Sequence, residues 1–174
     1  MTVSLRTASS QGDLVAVGAV HQRSRVAAYA GILSASTLAL RTEEAFGEWW
    51  TERYRWEKDT HRMTVAVDDS GAVIGFSYVG PSETPGAVEL YAIHVLPPVL
   101  GTGVGRLLMV DALSSLATLG EDRAVLWVLE ENLRAREFYE AGGWTADGGT
   151  REEPVNGEPV AQLRYTIDLR SAFG

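Results

Sequence analysis

The chain of 174 residues has no cysteine, which excludes disulfides, a cysteine-ligated metal site and a thiol nucleophile. Histidine is scarce as well. His21 and His61 show no partners in the sequence, and the three scattered histidines, with His94, are not expected to make a metal site. No apolar run approaches the ~20 residues of a membrane-spanning helix, and the segment from Met1 to Arg6 lacks a signal peptide's apolar centre. The expectation is a cytoplasmic chain without a membrane partner. Positive charge is short: 15 basic against 23 acidic residues leave a net charge of −8. Phosphate contacts dominate nucleic-acid affinity, so nucleic acid is not an expected partner. The balance suits a cationic acceptor such as an amine, or serves solubility alone. The acidic pairs Glu43-Glu44, Asp68-Asp69 and Glu152-Glu153 read as solvated faces and turns. There is no internal repeat, low-complexity tract or linker. The composition, 45% hydrophobic and 22% charged, and the length support a single domain over residues 1–174 with one sizeable core.

The densest signal lies between Val95 and Leu108. An apolar strand from Leu90 to Leu96 runs into Gly101, Gly103 and Gly105, and a helical pattern of Leu107, Leu108, Val110, Leu113 and Leu116 follows. Alternate glycines let the backbone turn tightly and approach a ligand with no Cβ in the way. The helix beginning there directs unpaired N–H groups and its positive dipole end at the loop, a backbone-built seat for phosphate or pyrophosphate. A Walker loop would need Lys and then Ser or Thr after the last glycine, where this chain has Arg106-Leu107. A dinucleotide fingerprint would place its third glycine one residue later. A plain connector remains the simpler alternative for this segment taken alone.

A second segment weakens that alternative. Residues 124–129 form a continuous apolar run, as in a buried strand. Asn132 suits a helix N-cap and Gly142-Gly143 a helix stop, with Leu133, Arg136, Phe138 and Tyr139 on the short helix between. Asn132 and Tyr139 are seven residues apart, about two turns, and so lie near one face.

Together the two segments resemble the GNAT superfamily of acyl-CoA-dependent N-acyltransferases. The matching positions are Val95 and Pro97, Gly103 and Gly105, then Asn132, Ala135, Phe138, Tyr139, Gly143 and Trp144. The resemblance covers roughly residues 62–169. One departure is Leu100, at a position where the family usually carries Gln or Arg. The resemblance implies acetyl-CoA as cosubstrate, with Ile93, His94 and Val95 along the pantetheine arm. Gly101, Thr102, Gly103, Val104, Gly105 and Arg106 would surround the pyrophosphate. Asn132 would bond the pantetheine arm, with Ala135 and Tyr139 completing the cofactor contacts. It also implies that Val95 N–H donates to the thioester carbonyl.

The implied reaction is direct attack of a primary amine on the thioester within a ternary complex. Tyr139 is the candidate general acid, since a phenol of reference pKa ~10 stays protonated at neutral pH. Glu89, six residues before Val95 on the same strand, is the candidate base, because a carboxylate in an apolar strand has a raised pKa. His94 is the second choice, although strict alternation puts it on the opposite face from Glu89 unless a bulge intervenes. A small molecule or peptide is the expected amine partner. The rival reading is a non-catalytic acyl-CoA-binding sensor. Pairing of two copies through C-terminal strands is common in the family, so a homodimer is a further expectation.

The remaining pattern predicts a first strand near Val3–Arg6, a helix from Asp13 to Tyr29 and a helix capped by Thr42. That second helix carries Phe46, Trp49, Trp50 and Tyr54. A hairpin spans Met63 to Val79, with its turn at Asp68 to Gly71, and Pro81 to Gly86 lead into the strand containing Glu89. A helix over 103–119, a strand over 124–129, a helix over 133–141 and a last strand over 162–169 follow, and residues 145–159 read as an exposed loop. The fold class is α+β, an α/β sandwich with the GNAT fold: a mixed, mostly antiparallel sheet of about six to seven strands flanked by about four helices. Trp49, Trp50, Trp56, Tyr29 and Tyr54 are candidates for the acceptor pocket, with core packing the favoured alternative. Tyr78 and Tyr91 are open to either role.

Overall fold

Serine at position 10 starts the first helix. Its hydroxyl accepts the Asp13 N–H at 3.1 Å while the Asp13 carboxylate accepts the Ser10 N–H at 3.3 Å, a reciprocal cap. The same carboxylate takes two hydrogen bonds from Arg6, at 2.8 and 2.9 Å, which hold its pKa far below the usual range. Strand β1 (Ser4–Thr7) is thereby fastened to α1 (Gln11–Tyr29). The computed structural model describes residues 1–172. A short α2 (Ala35–Ala39) precedes α3 (Glu43–Glu57), and the Thr42 hydroxyl caps α3 as expected. Next come β2 (Arg62–Val67), β3 (Val73–Pro81) and β4 (Val88–Val95). In the turn joining β2 to β3, Asp68 Oδ1 accepts the N–H groups of Ser70 and Ala72. A 3₁₀ turn at Pro97–Val99 leads to α4 (Val104–Ala117), β5 (Arg123–Leu129), α5 (Leu133–Ala141), β6 (Thr145–Glu152) and β7 (Ala161–Asp168).

The seven strands form one sheet in the order β1-β2-β3-β4-β5-β7-β6, antiparallel throughout except between β4 and β5. This is the expected α+β class, with five helices among the described residues rather than about four. Two readings need correction. Residues 145–159 are not all loop, since Thr145–Glu152 is the edge strand β6. Its sequence, TADGGTRE, is almost wholly exposed and interrupted by a register shift between Ala146 and Thr150, so it has no apolar alternation to betray it. Helix α2 was also unanticipated. It is five residues long and depends on a Ser34 cap.

The sheet is covered on both faces. On one, α1 and α3 bury Val17, Val20 and Trp50 against Met63, Val65, Phe76 and Tyr78. On the other, α4 packs Val104 and Leu108 on Ala66, Ile74 and Val95, and Met109, Ala112, Leu113 and Leu116 on Val88, Leu90 and Leu126. Of the residues used to predict α4, Leu107 and Val110 face solvent, whereas Leu108, Leu113 and Leu116 form the buried stripe with Met109. Among the described residues, no helix is long and apolar enough to cross a membrane.

Candidate functional site

Strands β4 and β5 pair only at Val88↔Ala124 and Glu89↔Val125, and beyond that point they diverge. Each continues alone toward its C-terminal end, leaving an opening in the middle of the sheet. In an antiparallel ladder successive residues turn their N–H and C=O alternately toward the partner and away from it. Leu96 N–H bonds Ile74 O on β3 at 2.9 Å. Val95 and Ile93, one and three residues earlier, therefore turn their polar backbone groups to the other edge, into the opening. A strand edge with unpaired groups is a template for an extended, amide-bearing ligand.

The glycine loop lies at the end of that edge. Gly101 and Gly103 have φ of +78° and +98°, left-handed values that glycine adopts without strain, and Gly103 is the N-cap of α4. A Cβ at either would meet nothing within 4 Å, so the space in front of the loop is free. Thr102 is occupied by the loop itself, since its N–H and hydroxyl both bond Val99 O. Among the described residues, the N–H groups of Gly101, Gly103, Val104, Gly105 and Arg106 have no acceptor, and the first turn of α4 holds no acidic side chain to compete for them. Arg106 is exposed beside them. This donor set, at the positive end of a 14-residue helix, fits a pyrophosphate. Leu100, exposed, contributes no polar group. Gly105 sits where α4 meets α5 and β4: a Cβ there would lie 3.4 Å from Phe138 Cε2 and 3.8 Å from Val95 Cγ2.

Helix α5 brings the second motif to the same opening. Asn132 Oδ1 caps the helix by accepting Ala135 N–H at 3.3 Å, and Ala135, Phe138 and Tyr139 pack on the core beside β5 and β7. The Tyr139 ring lies 6.5 Å from Trp144 and 6.3 Å from Tyr165. Its hydroxyl makes no hydrogen bond among the described residues. Burial, reinforced by the neighbouring Tyr29 phenol, pushes its pKa well above 10.

Glu89 sits at the apex where β4 and β5 part. It is 9% exposed and accepts a hydrogen bond from Ser82 Oγ at 2.6 Å. Burial raises its pKa, partly offset by that hydrogen bond and by the positive charges of Arg151 and Arg53. Strict alternation would put His94 on the other face, but the β3–β4 register passes from Tyr78↔Ala92 to Val79↔Leu90, leaving Tyr91 as an extra residue. The bulge resets the alternation. Glu89, Tyr91, Ala92 and His94 all face the α1 and α3 side, whereas Leu90, Ile93 and Val95 face α4.

The His94 side chain is therefore not directed to the α4 side. Its Nδ1 is 3.0 Å from Ser24 Oγ on α1, and its ring is 4.5 Å from His21, whose Nδ1 accepts from Trp50 Nε1 at 2.9 Å. His21 and His61 do have partners, contrary to expectation. His61 stacks on Tyr78 at 5.3 Å and lies 3.7 Å from Glu57. Burial lowers all three imidazoles, that of His94 to about 4. Because these folded-state pKa values lie below the unfolded value near 6.5, the unfolded chain binds more protons between about pH 6.5 and 4. Stability is then lost as pH falls through that window. Glu89, raised, opposes the trend, and the depressed carboxylates of Asp13 and Glu57 act only at lower pH. Urea unfolding at pH 7.5 and 5.0 is expected to differ by about 2–3 kcal/mol. Equal stability at the two pH values would mean that the histidines titrate normally.

Of the candidate aromatics, Trp50 is core, Tyr54 packs against that core, Trp49 is 37% exposed and Trp56 projects into solvent. Tyr29 packs with Leu33, Leu38, Leu129 and Val160, where the segment after α1 meets the start of β7. The Ser34 backbone and hydroxyl bond Glu158 there. Sequence reasoning missed Arg53 and Arg151. Arg53 is held among Trp49, Trp50, Tyr78 and Tyr91, and Arg151 lies over Trp127 on β5. Arginines within a basic-poor chain leave no local signal.

The sequence profile of the Acetyltransferase (GNAT) family matches residues 12–144. The uncharacterized N-acetyltransferase YuaI of Bacillus subtilis is 31% identical over 142 residues, covering 80% of this chain and 78% of that protein. A mycothiol acetyltransferase of Frankia casuarinae is 34% identical over 88 residues, but the match covers 45% of this chain and only 26% of that protein. The spermidine N-acetyltransferase of Vibrio cholerae, solved with CoA and spermine, superposes with a TM-score of 0.73 at 22% identity. That alignment covers 99% of this chain and 98% of the other, and it establishes the shared fold.

Proposed function

The chain belongs to the GNAT acetyltransferase family, and on that premise we propose that it transfers the acetyl group of acetyl-CoA to a primary amine in a ternary complex. The observation that carries this reading is the continuity of unpaired backbone: the free edge of Ile93 and Val95 leads directly to the N–H cradle from Gly101 to Arg106. A pantothenyl arm with two amides, ending in a pyrophosphate, is complementary to both halves. Asn132, with its Oδ1 engaged in the cap, offers Nδ2 as a further donor on the β5 side. Bound there, acetyl-CoA supplies an activated acyl thioester within the opening.

The protein's groups divide the remaining work. Val95 N–H, held by β4, is a preorganised donor for charge developing on the carbonyl oxygen. Glu89, whose pKa is raised by burial, takes through water the proton that the attacking ammonium must lose. Tyr139, protonated at neutral pH, donates to the departing sulfur. His94 is less suited to the base's role, because its Nδ1 is engaged with Ser24.

Titration calorimetry with acetyl-CoA, CoA, ATP and NAD tests the cofactor assignment, followed by an amine screen with thiol detection. Acetyl-CoA and CoA are expected to bind and the other two are not. Gly103→Val is expected to weaken acetyl-CoA binding at least tenfold, because its side chain enters the pyrophosphate space. Gly71→Val imposes a comparable positive-φ strain in the β2–β3 turn and should leave binding unchanged. Equal affinities for all three proteins would make the loop a connector. Binding without turnover of any amine would make the chain a binding domain.

A further inference from the structure

The net charge of −8 points to a cationic acceptor, but two arginines, Arg53 and Arg151, act on the face of the opening that carries Glu89. Arg53 approaches from α3. Its guanidinium carbon lies 4.8 Å from the Tyr91 ring centre, 5.1 Å from Tyr78 and 5.3 Å from Trp49. Its Nε donates to Glu57 Oε1 at 2.6 Å, and the same oxygen accepts from Tyr78 O–H at 2.8 Å. Glu57 thus positions the guanidinium by one edge. Among the described residues, Nη1 and Nη2 make no hydrogen bond, and the side chain is 24% exposed. Arg151 approaches from β6, on the other side of the opening, 4.2 Å over Trp127, with its Nε bound to Gln162.

Alternation along β5 puts Val125, Trp127 and Leu129 on the face opposite Ala124, Leu126 and Val128, which pack under α4 and α5. Trp127 therefore shares the Glu89 side of the sheet. Both arginines bear on Glu89, their positive charges opposing the burial that raises its pKa. A guanidinium stacked on aromatic rings, with its outer nitrogens free, is preorganised for two parallel hydrogen bonds to a carboxylate. A polyamine would instead place a second ammonium against it, a like-charge contact.

Resting on the acetyltransfer reading above, we infer that the acceptor is an amine that also carries a carboxylate, with Arg53 the specificity-determining residue and Arg151 supporting it from across the opening. The amine's proton passes to Glu89 through water while the carboxylate meets Arg53. Tyr91, on which Arg53 stacks, is two residues along β4 from Glu89, roughly 6 Å. That strand spacing brings both groups to one stretch of the opening, as a small amino acid requires.

The test uses the purified protein with acetyl-CoA and thiol detection. The acceptors are free amino acids, the matching carboxamides and spermidine, and the proteins are wild type, Arg53→Gln and Arg53→Lys. Acetyl-CoA affinity is measured alongside. Free amino acids are expected to exceed their carboxamides at least tenfold in kcat/KM. Arg53→Gln should erase that preference by raising KM for the carboxylate alone, and Arg53→Lys should restore part of it. Acetyl-CoA affinity should not change. Preference for spermidine, equal use of acid and amide, or an Arg53→Gln loss shared by both acceptors overturns the inference and leaves acetyltransfer standing. Absence of turnover with every amine overturns both.

Discussion

Tyr139→Phe is expected to lower kcat by about a hundredfold, with acetyl-CoA affinity changed less than twofold. The prediction is sharp because the change removes one atom whose structural role is small. The hydroxyl makes no hydrogen bond among the described residues, so its loss strands no buried partner, and the ring contacts with Phe138, Trp144 and Tyr165 survive in phenylalanine. The melting temperature should stay within a few degrees of wild type. A phenol with a pKa above 10 is a weaker acid than a thiol in water, and that would argue against it as a proton donor. The cleft that raises the phenol, however, penalises a sulfur anion in the same way, so the difference between the two acids is smaller than their aqueous values suggest. A hydrogen bond to the departing sulfur also contributes before the proton has fully moved. Steady-state kinetics and a thermal melt on the same preparation decide the matter. Full turnover in Tyr139→Phe would remove this residue as the acid and point to solvent or another donor.

The parts of the site visible in the sequence are those whose chemistry is local. Gly101, Gly103 and Gly105 between an apolar strand and an apolar helix announce a turn and a helix N-terminus. Asn132 and Gly142 mark both ends of α5. Thr42 marks the start of α3. What stayed hidden depends on partners distant in the chain. The parting of β4 and β5 after Glu89 is a property of two strands and the elements around them, with no residue pattern of its own. The extra residue at Tyr91 shows only once β3 is laid beside β4, yet it decides that Glu89 and His94 share a face. Strand β6 is polar on both faces and is held by pairing with β7. Arg53 becomes notable only when α3 lays it across β3 and β4. Overall charge pointed away from it, because a net balance over 174 residues says little about the few side chains around one carboxylate.

Gly18→Ala is expected to destabilise the protein by about 3 kcal/mol or more. For a chain of this length that corresponds to a melting temperature lower by roughly 6–12 °C. A Cβ at position 18 would lie 2.2 Å from Gly47 N, 2.5 Å from Gly47 Cα and 2.9 Å from Glu43 O. All three are backbone atoms of α3 or its first turn, so no side-chain rotation relieves the overlap and the two helices must separate. Gly31→Ala, with nothing within 4 Å, is the control and should stay within about 0.5 kcal/mol of wild type. The close crossing also has a functional consequence. It sets the height of α3 above the sheet, and with it the seating of Trp50 on Tyr78 and of Arg53 on Tyr91. The cradle at the start of α4 lies on the opposite face. A Gly18→Ala protein that still folds at low temperature should therefore bind acetyl-CoA normally while its KM for the amine rises. A melting temperature within 2 °C of wild type would mean that α1 and α3 can separate without cost, and that the aromatic seat of Arg53 does not depend on their contact.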